Sequence, residues 1–227
     1  MRYLVVSAGS LEDQALLTKL IDHNTRVICA DGGANYLADF GIVPDLIIGD
    51  MDSIKIQNLL TFTRQGSRIR QYPTVKDETD TALALMEALS DTPDEVIILG
   101  ATGSRLDHTL ANVHLLKMAA EKGVPARIVD AYQEISLITK RTPASFFGIP
   151  EEVFSLLPLS EEVTGVTITG AKWSMRNQTF YLGYPYGVSN EVLGGKVGIS
   201  VVSGMLLLIR VREKGDMIAR FAEDLNL

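Results

Sequence analysis

The chain has 227 residues with a formal net charge of −7, and 46% of its residues are hydrophobic while 22% are charged. This composition is ordinary for a folded globular protein and argues against intrinsic disorder. Because the chain is acidic and has no run of lysine or arginine, we do not expect nucleic acid to be its main partner. The length allows one large domain or two modest ones.

The sequence shows no sign of secretion or of membrane insertion. Cys29 is the single cysteine, so no internal disulfide can form and a disulfide-stabilised scaffold is excluded. No apolar segment approaches the roughly 18 residues of a membrane helix, and the amino-terminal apolar run is too short for a signal peptide. We therefore expect a cytoplasmic protein that does not enter a membrane.

Up to about residue 130, short apolar runs alternate with segments of helical periodicity. The runs that predict strands are RYLVVSA, RVICA, PDLIIG, IRQYP, EVIILGA and ARIVD. Two predicted helices carry apolar stripes, formed by Ala82, Leu85, Met86 and Leu89 in one and by Leu106, Leu110 and Val113 in the other. This alternation is typical of βαβ units and predicts a mostly parallel sheet covered by helices on both faces.

From Glu134 onward the chain changes to short β-rich runs broken by Gly, Pro, Asn and Ser, without an amphipathic helical pattern. The runs are EISLIT, FSLLPL, VTGVTIT, QTFYLG, KVGISVV and MLLLIRVR. Such a pattern indicates a small antiparallel sandwich or barrel. We therefore predict an α/β domain over residues 1–140 and a smaller all-β domain over residues 141–227.

Five aspartates follow predicted strands of the first domain: Asp31, Asp50, Asp52, Asp80 and Asp107. An open parallel sheet binds its ligand outside the carboxyl ends of its strands, so acids at those ends are expected to converge on one crevice. Clustered carboxylate oxygens are the ligands that Mg²⁺ prefers, and Mg²⁺ commonly accompanies a phosphate substrate. The acids therefore predict a magnesium and phosphate site.

Each acidic motif also has a structural explanation. Asp31 could equally cap the helix that follows it. In GDMDS, Asp52 or Ser53 could cap the next helix. However, the carboxylates of Asp50 and Asp52 are one residue apart and repel each other unless solvent or a cation separates them. This repulsion favours metal ligation. In KDETD the cap could be Asp77, which leaves Asp80 as the functional acid.

The segment GATGSRLD is the best candidate for a phosphate cradle. Its glycine-rich turn between a strand and a helix offers backbone N–H groups, and Arg105 can hold phosphate oxygens. Lys76 is the corresponding cation beside the KDETD acids. The P-loop pattern GxxxxGK[ST] does not occur in the chain.

The motifs DGGANYL, PDLIIGDMDSI, KDETD and GATGSRLDH, in this order, resemble the catalytic domain of the thiamine pyrophosphokinase (thiamine diphosphokinase) family. The later GAKW and GVSNE resemble its carboxyl-terminal domain. The resemblance implies Mg²⁺-dependent transfer of a diphosphoryl group from ATP to the hydroxyl of thiamine, giving thiamine diphosphate and AMP. It also implies a β domain that helps to bind thiamine, and a homodimer with composite sites between the subunits.

The resemblance also implies roles for individual residues. Asp50, Asp52 and Asp80 match the acidic positions that hold Mg²⁺ and the phosphates, and Ser189 and Asn190 match a pair that contacts thiamine, although these two could equally form a turn. Trp173, Tyr184 or Tyr186 could stack on thiamine or serve only the fold. The residues expected to surround the nucleotide are Asp31, Lys76, Thr79, Arg105 and Asp107.

An alcohol that attacks a phosphate must lose its proton, and we expect Asp80 or a neighbouring acid to accept it, unless that carboxylate is wholly occupied by metal. Two other functions remain open. One is a Mg²⁺-dependent kinase or phosphohydrolase that acts on a different small molecule. The other is a nucleotide-binding regulatory module without turnover, for which such crowding of carboxylates is unnecessary.

Overall fold

The computed structural model describes residues 1–11 and 14–211. The chain forms two compact units, which divide between Asp130 and Ala131. The predicted boundary between the two domains at residue 140 stays a prediction. In the described residues, no helix is both long enough and apolar enough to cross a membrane.

The first unit has a six-stranded parallel sheet with the strand order β6-β5-β1-β2-β3-β4. Its strands are β1 (Arg2–Val6), β2 (Thr25–Ala30), β3 (Leu46–Gly49), β4 (Arg68–Gln71), β5 (Glu95–Leu99) and β6 (Ala126–Val129). The helices are α1 (Gln14–Leu20), α2 (Gly33–Asp39), α3 (Ile56–Arg64), α4 (Asp80–Ser90) and α5 (Leu106–Glu121). The predicted α/β class is confirmed.

The burial of the strands explains their sequences. Strands β1, β2, β3 and β5 are runs of Val, Ile and Leu that are almost wholly buried, as expected for parallel strands covered on both faces. Strand β4 lies at the edge of the sheet and is exposed throughout. It carries Arg68 and Arg70, and charged residues on an edge strand discourage pairing with another chain.

The apolar stripe predicted for α4 is mostly correct, since Ala82, Leu85 and Leu89 are buried, but Met86 is 44% exposed. The stripe predicted for α5 is largely wrong, because Leu106 is 66% exposed and Leu110 is 50% exposed.

The buried face of α5 consists of Asn112, Val113, Leu116 and Ala119. This helix has apolar residues on more than one side, and its buried side includes the polar residue Asn112. Burial of Asn112 is tolerated because its Nδ2 donates to the backbone oxygen of Ala101 over 2.8 Å.

In the second unit, the described residues 131–211 contain strands and turns and no helix. One sheet has the order β12-β9-β14-β7 and the other the order β11-β10-β13-β8, and all these pairings are antiparallel. The strands are β7 (Gln133–Ile138), β8 (Ala144–Gly148), β9 (Val153–Pro158), β10 (Glu162–Thr169), β11 (Met175–Tyr181), β12 (Gly187–Glu191), β13 (Gly195–Ser200) and β14 (Leu206–Val211).

Inward-facing residues of both sheets form one apolar core, in which Phe146 and Phe154 pack edge to face with 5.8 Å between ring centroids. The predicted β-rich character of this part is confirmed. Strands β8 and β12 were not predicted, and β12 was taken for a possible turn. It contains Gly, Ser and Asn and has a shift in register against β9 between Gly187 and Asn190, which hides its strand pattern.

Candidate active site

Three acids meet beyond the carboxyl ends of β2 and β3. Asp31 follows β2, Asp50 follows β3, and Asp80 is the first residue of α4. Each offers one carboxylate oxygen to a group whose atoms all lie within 4.8 Å of one another. The convergence predicted from the strand ends therefore occurs for these three.

The close approach of these acids depends on Gly49, the last residue of β3. Gly49 has a φ of +149°, and a Cβ atom there would lie 2.8 Å from Cβ of Asp31 and 3.0 Å from Cγ of Asp80. A side chain at this position would push the two acids apart, so glycine is required by space as well as by backbone conformation.

Lys76 supplies positive charge to the cluster. Its Nζ lies 3.4 Å from Oδ2 of Asp50 and 3.2 Å from Oδ1 of Asp80. Burial works to lower the pKa of the Lys76 ammonium, but its ion pairs with Asp80 and Asp50 leave the pKa above its usual value. Lys76 is therefore a permanent cation beside the acids.

The pKa of the Asp50 carboxyl is held below its usual value, first by the backbone N–H of Asp52, which donates to Oδ1 over 3.2 Å, and also by Lys76. Burial raises the pKa of the Asp31 carboxyl, against the hydrogen bond from Ser53, and the charges of Asp80 and Asp50 raise it further. Neighbouring acids are thus held in different electrostatic environments.

Asp31 is the member whose contacts indicate a cation most clearly. It is 5% exposed, and its Oδ2 accepts the backbone N–H of Ser53 over 3.1 Å. Its Oδ1 is buried and has no hydrogen-bond partner among the described residues. A buried carboxylate oxygen without a donor, next to two further carboxylates, fits a hard divalent cation.

Asp52 does not belong to this group of three. It is exposed, and its Oδ1 accepts the hydroxyl of Ser53 over 2.7 Å. The alternative that Asp52 or Ser53 caps α3 is wrong, because the capping residue is Lys55 and no side chain caps this helix. The role of Asp52 as a metal ligand stays a prediction.

The capping alternatives for the other acids are also wrong. Helix α2 is preceded by Gly32 at its cap position, without a side-chain cap, and the carboxylate of Asp31 accepts from Ser53 instead. Helix α4 is capped by Thr79, whose Oγ1 accepts the N–H of Ala82 over 3.2 Å, and not by Asp77. The nucleotide-binding role predicted for Thr79 stays a prediction beside this structural one.

A cleft of about 600 Å³ is lined by Asp31, by Asp80 and by two glycine-rich loops, residues 7–10 after β1 and residues 100–104 after β5. The loops are joined by the N–H of Gly9, which donates to the oxygen of Gly100 over 2.7 Å, and by the N–H of Ser10, which donates to the oxygen of Thr102 over 2.7 Å. A Cβ on Gly9 would lie 2.3 Å from the oxygen of Thr102. Glycine therefore lets the loops pack backbone against backbone.

Of the eight site residues predicted in the first unit, five line this cleft and three do not. The lining includes Asp31, Lys76, Thr79, Asp80 and Arg105. The three outside the lining are Asp50, Asp52 and Asp107. Residues of the lining that the sequence did not single out include Tyr36, Thr81 and Asn112, although Tyr36 lies within DGGANYL and Thr81 directly follows KDETD.

Arg105 and Asp107 form a two-bond ion pair at the start of α5. Nε of Arg105 donates to Oδ1 over 2.9 Å and Nη2 to Oδ2 over 2.6 Å. These hydrogen bonds hold the pKa of the Asp107 carboxyl well below its usual range. Both side chains are exposed, so the pair orients the guanidinium at the edge of the cleft and contributes little to stability.

Ser189 and Asn190 lie in β12 of the second unit, at the position where its pairing with β9 is irregular. Asn190 is 4% exposed, its Oδ1 accepts the N–H of Trp173 over 3.1 Å, and its Nδ2 donates to the oxygen of Trp173 over 3.1 Å. Ser189 is exposed and has a φ of +61°, and its N–H donates to Oγ of Ser155 over 3.1 Å. Asn190 thus anchors the backbone of Trp173.

The three aromatic residues considered for stacking are all exposed. Nζ of Lys172 lies 4.7 Å from the ring centroid of Trp173, and the rings of Tyr184 and Tyr186 stack with 5.9 Å between their centroids. The contact of Ser189 and Asn190 with thiamine, and the choice of the stacking ring, stay predictions.

Carboxylates, a lysine and two glycine-rich loops at the carboxyl edge of a parallel sheet are typical of α/β enzymes that act on phosphate-containing substrates. Residues 17–128 match the family described as thiamin pyrophosphokinase, catalytic domain, and residues 139–206 match thiamin pyrophosphokinase, vitamin B1 binding domain. The chain therefore belongs to the thiamine pyrophosphokinase family, which confirms the resemblance of its motifs and the predicted class of transferase.

Individual relatives agree with this membership. The chain is 33% identical over 198 residues to thiamine pyrophosphokinase of Bacillus subtilis (strain 168). This match covers 86% of this chain and 91% of that protein. A crystal structure of thiamine pyrophosphokinase from Bacillus subtilis is similar with a TM-score of 0.85 and 31% identity, covering 93% of this chain and 99% of that one. The corresponding structure from Geobacillus thermodenitrificans has a TM-score of 0.81 and 26% identity, over 95% of this chain and 99% of that one.

Proposed function

We propose that this protein is a thiamine diphosphokinase, which transfers a diphosphoryl group from ATP to the hydroxyl of thiamine and releases AMP. The observation that carries the proposal is the meeting of Asp31, Asp50 and Asp80 beside Lys76 at a glycine-lined cleft. This cleft lies in the part of the chain that matches the family's catalytic domain.

Mg²⁺ is the proposed cofactor. The buried oxygen of Asp31 without a hydrogen-bond partner and the three converging carboxylates support a site for a hard divalent cation. Asp50 and Asp80 are the ligands that both the sequence and this cluster support, Asp31 joins them, and Asp52 completes the set expected from the motifs. Bound Mg²⁺ would neutralise the phosphate charge and help to align the reacting groups.

The chain's own groups have three tasks in this reaction. The backbone N–H groups of the loop at residues 100–104 and the side chain of Lys76 bind and orient the ATP phosphates, and Arg105 holds them at the edge of the cleft. Asp80, which is among the residues that line the cleft, accepts the proton that the thiamine hydroxyl loses. Diphosphoryl transfer requires mainly positioning and charge neutralisation, so no covalent intermediate with the chain is needed.

We place thiamine recognition in the second unit, whose residues 139–206 match the vitamin B1 binding domain. Ser189 is exposed, so its hydroxyl can form a hydrogen bond with the substrate, while the Asn190 side chain holds the backbone of Trp173 through two hydrogen bonds. An exposed ring such as Trp173 can stack on the aromatic, cationic thiamine.

We further propose a cytoplasmic homodimer. Large apolar side chains of the second unit are exposed in the single chain, which supports a further interface. They include Phe147, Ile149, Trp173, Leu182, Tyr184 and Tyr186. Light scattering that gives the mass of one chain at micromolar concentration would contradict the dimer.

The decisive experiment incubates the protein with ATP and Mg²⁺, with and without thiamine, and identifies the nucleotide product. AMP formed only in the presence of thiamine supports the proposal. ADP formed with another alcohol would indicate a different kinase, and phosphate release that does not depend on thiamine would indicate a phosphohydrolase.

A further inference from the structure

Asn35 lies in DGGANYL, the motif that also contains Asp31, but none of the steps above uses it. It is on α2, and its side chain makes three hydrogen bonds to the segment after β3. Its Nδ2 donates to the backbone oxygen of Ser53 over 3.0 Å, and its Oδ1 accepts the N–H of Lys55 over 3.0 Å and the Nδ2 of Asn58 over 3.0 Å. The amide therefore uses both its donor and its acceptor on one short segment.

We call residues 50–55 the acidic loop, because it carries Asp50 and Asp52. Both backbone polar groups of Ser53 are hydrogen-bonded. The Ser53 oxygen accepts from Nδ2 of Asn35, and the Ser53 N–H donates to Oδ2 of Asp31. Asp31 directly follows β2, and Asn35 lies four residues later in the first turn of α2. The loop is thus held against one rigid element by two neighbouring side chains.

The acidic loop also contains backbone that needs such support. Met51, which lies between the two acids, has a φ of +67° although it is not glycine. A residue in this conformation costs of the order of 1 kcal/mol or more and persists only where surrounding contacts hold it. The bonds from Asn35 and Asp31 are contacts of this kind.

We propose that Asn35 is a positioning residue, which fixes the acidic loop and thereby the distance of Asp50 from Asp31 and Asp80. Because binding of a divalent cation depends on that distance, loss of Asn35 weakens cation binding without removing a ligand. The inference rests on the proposed function in one respect, namely that these acids bind the metal.

The test compares N35A with wild type and with the matched control N58A. Asn58→Ala removes one bond to Asn35 but leaves both bonds from Asn35 to the loop backbone. The first measurement is Mn²⁺ affinity by electron paramagnetic resonance, with ATP present, since Mn²⁺ takes the same oxygen ligands. We expect N35A to bind Mn²⁺ about 10-fold more weakly, the usual effect of removing support for a metal ligand, and N58A to bind it like wild type.

Steady-state kinetics separate positioning from general loss of structure. N35A is expected to need about 10-fold more Mg²⁺ for half-maximal activity, with partial recovery at high Mg²⁺ and with an unchanged KM for thiamine. If N35A folds poorly, N35D fills the same space and retains an acceptor, but it loses the donation to Ser53, and it is expected to show the same Mg²⁺ dependence.

The outcomes distinguish this inference from the proposed function. Wild-type Mn²⁺ affinity in N35A or N35D, or an equal loss in N58A, would overturn the positioning role while leaving thiamine-dependent AMP formation intact. A specific loss of Mn²⁺ affinity in N35A would support the positioning role even if wild type forms no AMP. A wild-type protein that binds no Mn²⁺ even with ATP present would overturn it.

Discussion

Both compact units hold charged side chains away from water, but they balance these charges differently. In the second unit, Nη2 of Arg210 lies 3.1 Å from Oε1 of Glu152 and Nη1 lies 3.6 Å from Oε2 of Glu134, and its Cζ lies 4.1 Å above the ring of Phe146. In the first unit, one lysine pairs with two of the three acids, Asp50 and Asp80, and an oxygen of Asp31 is buried without a hydrogen-bond donor.

The buried charges around Arg210 serve the fold, whereas the buried acids of the first unit serve the site. The guanidinium of Arg210 is enclosed by carboxylates, a carbonyl oxygen and a ring, so its local contacts are internal to the unit. The acid cluster keeps an excess of negative charge and a strained backbone at Asp31 and Met51, both with positive φ. Such an arrangement is stable only if a ligand or its surroundings compensate for it, which is common at functional sites.

The largest expected effect comes from D80N, which removes the proposed proton acceptor from the acid cluster. Turnover is expected to fall by about 10²- to 10⁴-fold, the usual contribution of a general base, while ATP binding measured by calorimetry largely survives. The control is D77N, since Asp77 is exposed and lies outside the cleft lining. Near-normal turnover of D80N would remove Asp80 from the mechanism.

Replacing Arg210 tests the structural half of the comparison. R210M leaves Glu134 and Glu152 buried without their cation, so the free energy of unfolding is expected to fall by about 3–5 kcal/mol, as measured by urea denaturation. The triple variant R210M/E134Q/E152Q removes the charges together and is expected to recover part of this loss. If R210M is as stable as wild type, the buried network is not what holds these strands together.

G49A sharpens the comparison by crowding the acids without changing a charge. Its Cβ would lie 2.8 Å from that of Asp31, so we expect loss of Mn²⁺ binding and destabilisation by about 1–3 kcal/mol. G41A is the matched control, because Gly41 also has positive φ, at +70°, but has nothing within 4 Å of an added Cβ. Equal Mn²⁺ binding in the two variants would show that crowding at the acids has no consequence.

The smallest expected effect on stability is that of R105A. Its pair with Asp107 is exposed on both sides, so the melting temperature measured by calorimetry is expected to stay unchanged. The KM for ATP is expected to rise about 10-fold, since a hydrogen bond to a charged phosphate is lost. An unchanged KM would place Arg105 outside the nucleotide site.

The sequence predicts the alternation of strands and helices well, because apolar runs and helical periodicity depend on local order in the chain. It also predicts that acids converge, because the carboxyl ends of parallel strands share one edge. It could not decide whether Asp31 is a helix cap or a cluster member, since both occur after a strand and before a helix. That choice depends on Gly49 and Ser53, which are close to Asp31 only in the folded chain.

The residues that the sequence missed act mainly through contacts with backbone atoms. Asn112 and Asn35 look like ordinary polar helix residues until their partners, Ala101 and the acidic loop, are known. Strand β12 was obscured by a bulge and by turn-forming residues. In all three cases the deciding partner is distant in sequence, so no local pattern contains it.

The central claim is that the acid cluster supports transfer of a diphosphoryl group to thiamine. The most direct measurement is chromatographic quantification of all nucleotide and thiamine products after incubation with ATP, thiamine and Mg²⁺, with D80N in parallel. The account predicts equal amounts of AMP and thiamine diphosphate from wild type, and almost none without Mg²⁺ or with D80N. Equal amounts of ADP and thiamine monophosphate, or products that form equally well without Mg²⁺, would contradict it.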